Sequence, residues 1–296
     1  MQITFHPHNP QSAVNPTFSI LIPTWNNREF AKLCVASIQK NSRYTHQIIL
    51  HINEGTDGTL DWAKEAGLDY TYSPENVGVC WACNAMFRLA KADYIVYMND
   101  DMYVCPDWDY HLLQTAQEYP NEYVYLSATM IERVEWQSNR LAFGNFGTNP
   151  SDFQEESLLN KYKSLTLPDW QGGTSPPSLM HRRLWELVGG FSIEFTPGFG
   201  SDPDLSMKLW QAGVRHFRGV GASLVYHFMS KTTRKVLSNQ SYAQFFRKWG
   251  LTIKVFEKQY LYGKNKYEGA LSEQLPMMSD WQKWRYKLKY SIVKQK

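Results

Sequence analysis

Short apolar runs alternate with segments of helical period through the first third of the chain, and this alternation limits the fold more tightly than any other feature. FSILIP (18–23) is strand-sized, β-branched and stopped by proline. Asn26 or Asn27 can cap a helix in which Phe30, Leu33, Cys34 and Ile38 recur at helical spacing. QIILHIN (47–53), LDYTYS (68–73) and DYIVYMN (93–99) are further strands, with helices between them marked by LDWAKEA and by Cys83, Met86, Phe87 and Ala90. Such a pattern predicts an α/β fold with a mostly parallel, doubly wound sheet and helices on both faces. Ligands in these sheets bind beyond the carboxyl ends of the strands. That rule gathers three loops on one rim: Thr24-Trp25-Asn26, Glu54 to Asp57, and Asn99-Asp100-Asp101. The second half is less regular, with helices expected over 181–188, 205–212, 238–249 and 279–293. The expected organisation is an extended lead-in over 1–16, one domain over 17–235 and a helical extension over 236–296. Within the domain, 17–105 are expected to form one half, with ligand-binding loops at its rim, and 106–235 a second, less regular half.

Composition removes several function classes. The 296 residues are 43% hydrophobic and 20% charged, which excludes wholesale disorder. A formal charge of +3 gives no support to nucleic-acid binding. Four cysteines without a second CxxC give neither a disulfide framework nor a zinc site and favour a reduced, cytoplasmic setting. Neither a signal-peptide pattern nor a membrane-length apolar run is expected. Aromatic content is high, at 15% with 11 Trp. It suits a well-filled core or stacking on sugars and bases, with Trp25 and Trp170 as the stacking candidates and Trp185 and Trp210 assigned to core.

Three segments carry chemistry. YIVYMNDDM delivers adjacent carboxylates, Asp100 and Asp101, to the rim, where their repulsion favours a divalent cation; the alternative is a solvated turn. GFGSDPDLSMKLWQAG presents Asp202 before Pro203, either as a helix N-cap or as a general base whose pKa apolar neighbours would raise. VYHFMSKTTRK places His227 after a strand and upstream of Lys231, Arg234 and Lys235, as a structural histidine or as a metal ligand beside phosphate-binding cations.

In their order and spacing, FSILIPTWNN, EGTDGT, ENVGVCWACNAM, YIVYMNDDM, LMHRRLWELVGGF, GFGSDPDLSMKLWQAG and VYHFMS resemble the inverting family 2 glycosyltransferases of the GT-A fold. The resemblance implies that Pro23, Thr24 and Trp25 pack around a nucleoside and that Asn53 or Glu54 stands at the base-reading position of the loop ending in Asp57. It places Asn76 and Gly78 in the loop before the third helix and Asn84 on that helix. Asn99-Asp100-Asp101 then corresponds to the Asp-X-Asp signature, with Asp100 near the ribose or behind the metal ligand. On the same resemblance 17–105 is the nucleotide-binding half and 106–235 the acceptor-side half. Asp101 ligates Mn²⁺ or Mg²⁺, completed by His227, with Lys231 and Arg234 near the phosphates. Asp202 is implied to be the catalytic base. The donor is expected to be a nucleotide sugar, UDP-linked by preference, and the acceptor a glycan or lipid-linked hydroxyl.

Two other readings compete. A sugar-phosphate nucleotidyltransferase would need a glycine-rich, lysine-bearing phosphate loop after the first strand, and IPTWNNREF offers none. A non-catalytic glycan-binding module has no use for Asp202 together with a strand-end Asp pair. In the tail, Trp281, Trp284, Leu288 and Ile292 recur at helical spacing among Lys283, Arg285, Lys287, Lys289, Lys294 and Lys296. This stripe either closes over the core or an oligomer interface, or rests on an anionic membrane.

Overall fold

A computed structural model describes residues 2–8, 15–135, 140–229, 238–263, 265–273 and 278–291. The first half alternates as expected: β1 (Thr4–His6), β2 (Phe18–Trp25), α1 (Arg28–Asn41), β3 (Gln47–Asn53), α2 (Thr59–Glu65), β4 (Asp69–Ser73), α3 (Gly78–Phe87) and β5 (Tyr94–Tyr97). Then follow β6 (Met102–Val104), α4 (Trp108–Gln117), β7 (Val124–Glu132), β8 (Leu141–Phe143), α5 (Glu155–Lys161), β9 (Trp170–Gln171) and β10 (Ser178–His181). The chain continues through α6 (Arg182–Val188), α7 (Ser201–Gln211), β11 (His216–His227), α8 (Ser238–Trp249), α9 (Ile253–Val255) and α10 (Asp280–Ser291).

The strands form a single mixed sheet in the order β1-β4-β3-β2-β5-β10-β7-β11-β6, with β8 beside β7 and β9 beside β11. β4, β3, β2 and β5 run parallel, as do β7 and β11; β10 joins the two groups antiparallel to β5 and β7. Alternation along each strand builds a core on both faces. In β2, Phe18, Ile20 and Ile22 meet Cys34, Val35 and Ile38 of α1. Leu21 turns to the other face and joins Cys80, Cys83 and Met86 of α3 and Leu205 and Leu209 of α7. Ala243, Phe245 and Phe246 of α8 enter that second core, so the C-terminal segments share it.

β3 and β5 flank β2 on opposite sides, which makes the carboxyl end of β2 the switch point of the sheet. β2 pairs with β5 only from Phe18 to Leu21, but with β3 as far as Trp25. The edges therefore part beside Thr24, where Asn99, Asp100 and Asp101 leave β5. A cavity of about 560 Å³ lies at the opposite rim, lined by Ser42, Arg43, Gln47 and Lys91, away from these acids.

Candidate active site

Loop-to-loop hydrogen bonds knit the rim together. Asn26, held at φ 45°, donates from Nδ2 to Glu54 Oε2 at 3.0 Å and accepts from the Thr56 amide at 2.9 Å. Asp57 accepts from the Arg28 amide at 2.7 Å and from Thr59 Oγ1 at 2.6 Å. Burial raises the Asp57 carboxyl, but these donors outweigh it and hold the pKa below its usual value. Asn27 occupies the N-cap position of α1 without making a side-chain cap bond, and Asp57 reaches across from the next loop to cap the helix instead.

Several residues at the expected donor positions act as struts between loops. Asn53 is buried; its Nδ2 donates to the Thr24 carbonyl at 3.2 Å and its Oδ1 accepts from the Val77 amide at 2.9 Å. Asn76 Oδ1 accepts from the Gly78 amide at 2.9 Å. Gly78 has φ 77°, and a Cβ there would lie 2.6 Å from Pro197 Cα. Only glycine permits that approach, which brings α3 against the loop leading to Asp202. Asn84 clasps the Phe191 backbone, donating to its carbonyl at 2.8 Å and accepting from its amide at 2.9 Å. Pro23 is half-buried and Trp25, the last residue of β2, is 36% exposed. Trp170 is 1% exposed and its indole donates to Thr129 Oγ1 at 2.9 Å, so it is core and offers no stacking platform. The reason is local: Gly219 of the paired strand lacks the side chain that would collide with the ring.

The acids converge where the sheet opens. Asn99 Oδ1 accepts from the Tyr97 hydroxyl at 3.0 Å. Burial and the neighbouring Asp101 charge push the Asp100 carboxyl up to about 7, while the side chains of Thr24 and Asn27 facing it draw it back. Thr24 Oγ1 and Asn27 Nδ2 are buried and lack a partner at hydrogen-bond distance. Two polar atoms so placed are unfavourable unless water or a ligand satisfies them. Asp101 is 6% exposed. Its Oδ2 lies 3.6 Å from His227 Nε2, and His227 Nδ1 lies 2.8 Å from Glu132 Oε1. Register explains the meeting: β11 pairs His227 with Met102, next to Asp101, and pairs Tyr226 with Ile131, next to Glu132. Burial works against a charged imidazole, yet the two carboxylates prevail and raise its pKa to about 9.

Asp202 lies in the first turn of α7, after Gly200 at φ 87°. The N-cap position expected for Asp202 belongs to Gly200, because the helix begins at Ser201, whose hydroxyl donates to the Gly198 carbonyl at 2.6 Å. Burial pushes the Asp202 carboxyl up to about 7. Its charge acts on Tyr97 and Tyr125 of the sheet and on Cys80 and Cys83 of α3, which fixes its side of the cleft. Lys231, Arg234 and Lys235 lie outside the described residues. Glu132 escaped the sequence reading; the available signal was a lone acid closing an otherwise uncharged buried run, the pattern that singled out Asp100 and Asp101.

A family model, glycosyl transferase family 2, matches residues 19–183, more than half of the chain. The chain belongs to this family. Among curated relatives it is 26% identical over 106 residues to a protein described as a glycosyltransferase, EpsH of Bacillus subtilis, covering 34% of this chain and 30% of that one. It is 23% identical over 224 residues to the O-antigen biosynthesis protein RfbC of Myxococcus xanthus, covering 72% of this chain and 17% of that one. The chain thus spans less than a third of the length of either relative. Among solved structures, S. aureus TarS residues 1–349 superpose with a TM-score of 0.55 at 14% identity, over 78% of this chain and 64% of that one. The same fragment in complex with UDP-GlcNAc gives 0.54 at 16% identity, over 78% and 65%. At that identity the likeness establishes the GT-A fold of the family.

Proposed function

We propose that this family 2 member is a metal-dependent inverting glycosyltransferase, moving one sugar from a nucleotide-diphosphate donor to a hydroxyl of a glycan or lipid-linked glycan. The supporting observation is that the half-buried carboxyl of Asp202, raised to about 7, acts on Tyr97, whose hydroxyl donates to Asn99 beside the Asp100-Asp101-His227 cluster. UDP is the favoured nucleotide, in keeping with the UDP-GlcNAc held by the TarS structure. Trp25 stacks on the base, and Thr24 and Asn27 offer their unsatisfied polar atoms to the donor. The proposed setting is cytoplasmic, peripheral at the inner face of a membrane; no helix among the described residues is long and apolar enough to cross one.

The donor set fits a metal shared with substrate. Among the described residues no three His, Cys, Asp or Glu side chains form a group that could hold an ion unaided. Asp101 Oδ2 and His227 Nε2 supply an oxygen and a nitrogen that suit Mn²⁺ or Mg²⁺ when phosphate oxygens provide further ligands. When bound, the ion would offset the charge developing on the leaving diphosphate. Asp202 takes the proton of the acceptor hydroxyl as its oxygen bonds to the anomeric carbon and the bond from that carbon to the diphosphate oxygen breaks. A single displacement inverts configuration. One base suffices, whereas a glycoside hydrolase needs two flanking carboxyl groups.

A thermal-shift panel of nucleotide diphosphates and nucleotide sugars, with and without Mn²⁺ or Mg²⁺, tests the reading, because a ligand that binds only the folded chain raises its melting temperature. UDP and a UDP-sugar are expected to shift it only with metal. A response to nucleoside triphosphate and sugar phosphate alone would favour a nucleotidyltransferase.

A further inference from the structure

The C-terminal helix presents two different faces. Ser279 and Gln282 cap its start reciprocally, the Ser279 amide donating to Gln282 Oε1 at 3.0 Å and the Gln282 amide donating to Ser279 Oγ at 3.3 Å. Tyr286 and Tyr290 turn inward onto Phe246 of α8, with ring centroids 5.8 and 5.6 Å away. These tyrosines, outside the expected stripe, are what close the helix onto the core. Trp281, Trp284 and Leu288, spaced by three and four residues on the opposite side, are 63%, 59% and 51% exposed. Arg285, Lys287 and Lys289 border this stripe, against Asp280 as the one acid of the helix. The Arg285 guanidinium sits 5.7 Å from the Trp281 ring.

We infer that this outward face docks the protein on an anionic lipid bilayer. Indoles and a leucine on a helix lying flat enter the zone between headgroups and acyl chains, and flanking cations meet the lipid phosphates. A second copy is a poor occupant, because three cations per helix would face three others. The helix also stands beside the cleft mouth. Tyr242, one turn before Phe246 in α8, sets its ring 6.5 Å from that of Phe199, three residues before Asp202. Both rings are partly exposed, at 40% and 38%. Docking through α10 therefore brings the side of the base toward the bilayer; the placement of a lipid-linked acceptor there rests on the glycosyltransferase reading, but the docking itself does not.

Co-sedimentation of the full chain with phosphatidylcholine vesicles, with and without phosphatidylglycerol, provides the test. The chain is expected to pellet with anionic vesicles only and to be released by salt. Trp281→Ser/Trp284→Ser/Leu288→Ser should lower the bound fraction by roughly tenfold while keeping the melting temperature and its shift by UDP with Mn²⁺ measured without vesicles. Equal pelleting of both proteins, or equal pelleting with neutral vesicles, overturns the inference. So does a dimer in light scattering that the triple variant converts to monomer, since the face would then hold a second copy. Because the nucleotide shift is read without lipid, loss of the donor reading and loss of the docking reading are separate results.

Discussion

At the scale of single residues, Asp202 and Glu132 carry the sharpest consequences. The half-buried Asp202 carboxyl, its pKa raised by desolvation from 3.8 to about 7, holds its proton more tightly in the folded chain than in the unfolded one. Its contribution to stability is full below the unfolded value and disappears as pH rises through about 7. In the proposed mechanism the ionised form is the base, so kcat/KM should fall about tenfold per pH unit on the acid side. Asp202→Asn should abolish transfer at every pH, keep the UDP shift, and melt higher than the parent at pH 8, with the difference vanishing near pH 4; stopped transfer assays and melts across pH check all three. Glu132 accepts at His227 Nδ1 and so turns Nε2 toward Asp101. Carboxylates that orient a ligating histidine change metal affinity by about 10–100-fold, and Glu132→Gln should weaken Mn²⁺ binding, titrated by electron paramagnetic resonance, toward that range while the melting temperature moves little. An unchanged titration would leave Glu132 as packing alone. Asp100, Asp101 and Asp202 were legible in the sequence because a charge closing an apolar strand or opening a helix stands out locally. Glu132 and the strut role of Asn53 were not, since both depend on which strands become neighbours.

Among the elements, the helix ends show how local signals are overridden. The asparagines before α1 have the chemistry of a cap, yet the bond comes from Asp57, two elements downstream in sequence, because the loops of β2 and β3 share one rim. β7 and β11 were hard to read for a related reason. Both are buried on two faces, so their side chains lose the apolar–polar alternation that marks a half-exposed strand. α3 carries the most stringent contact, with the Gly78 amide turned by Asn76 and the Val79 amide donating to the Pro197 carbonyl at 2.8 Å. Gly78→Ala combines a left-handed backbone with a Cβ pressed on Pro197, and should cost about 2–4 kcal/mol in urea unfolding. The same displacement reaches Asp202 through the loop. A lower kcat at little-changed donor KM is therefore expected, and a variant with unaltered kcat would disconnect α3 from the position of the base.

For the whole molecule, the α/β class and the rim were legible because periodicity is a one-dimensional property, whereas the sheet order was not. β10 inserts antiparallel between β5 and β7, pairing Leu179 with Val96 and with Leu126, and this welds residues 17–105 to residues 106–235. The helices after residue 237 add Phe245, Phe246, Phe256 and Tyr290 to the core that also holds Cys83, Leu205 and Trp210. Residues 279–296 carry six basic residues against Asp280, so the modest net charge of +3 conceals a mildly acidic body joined to a basic tail. The segments expected over 17–105, 106–235 and 236–296 consequently have no separate cores among the described residues. Calorimetry should show one transition. UDP with Mn²⁺ at about 100 times its Kd should add about 2.7 kcal/mol to the folded state, which in a chain of this size should raise the midpoint by roughly 4 °C. Since the proposed donor site lies at the switch point alone, displacement of the entire transition would report coupling of all three segments through the common sheet. A second transition that stays at its original temperature would instead mean that part of the chain unfolds without regard to the nucleotide, and would make the C-terminal helices a domain of their own.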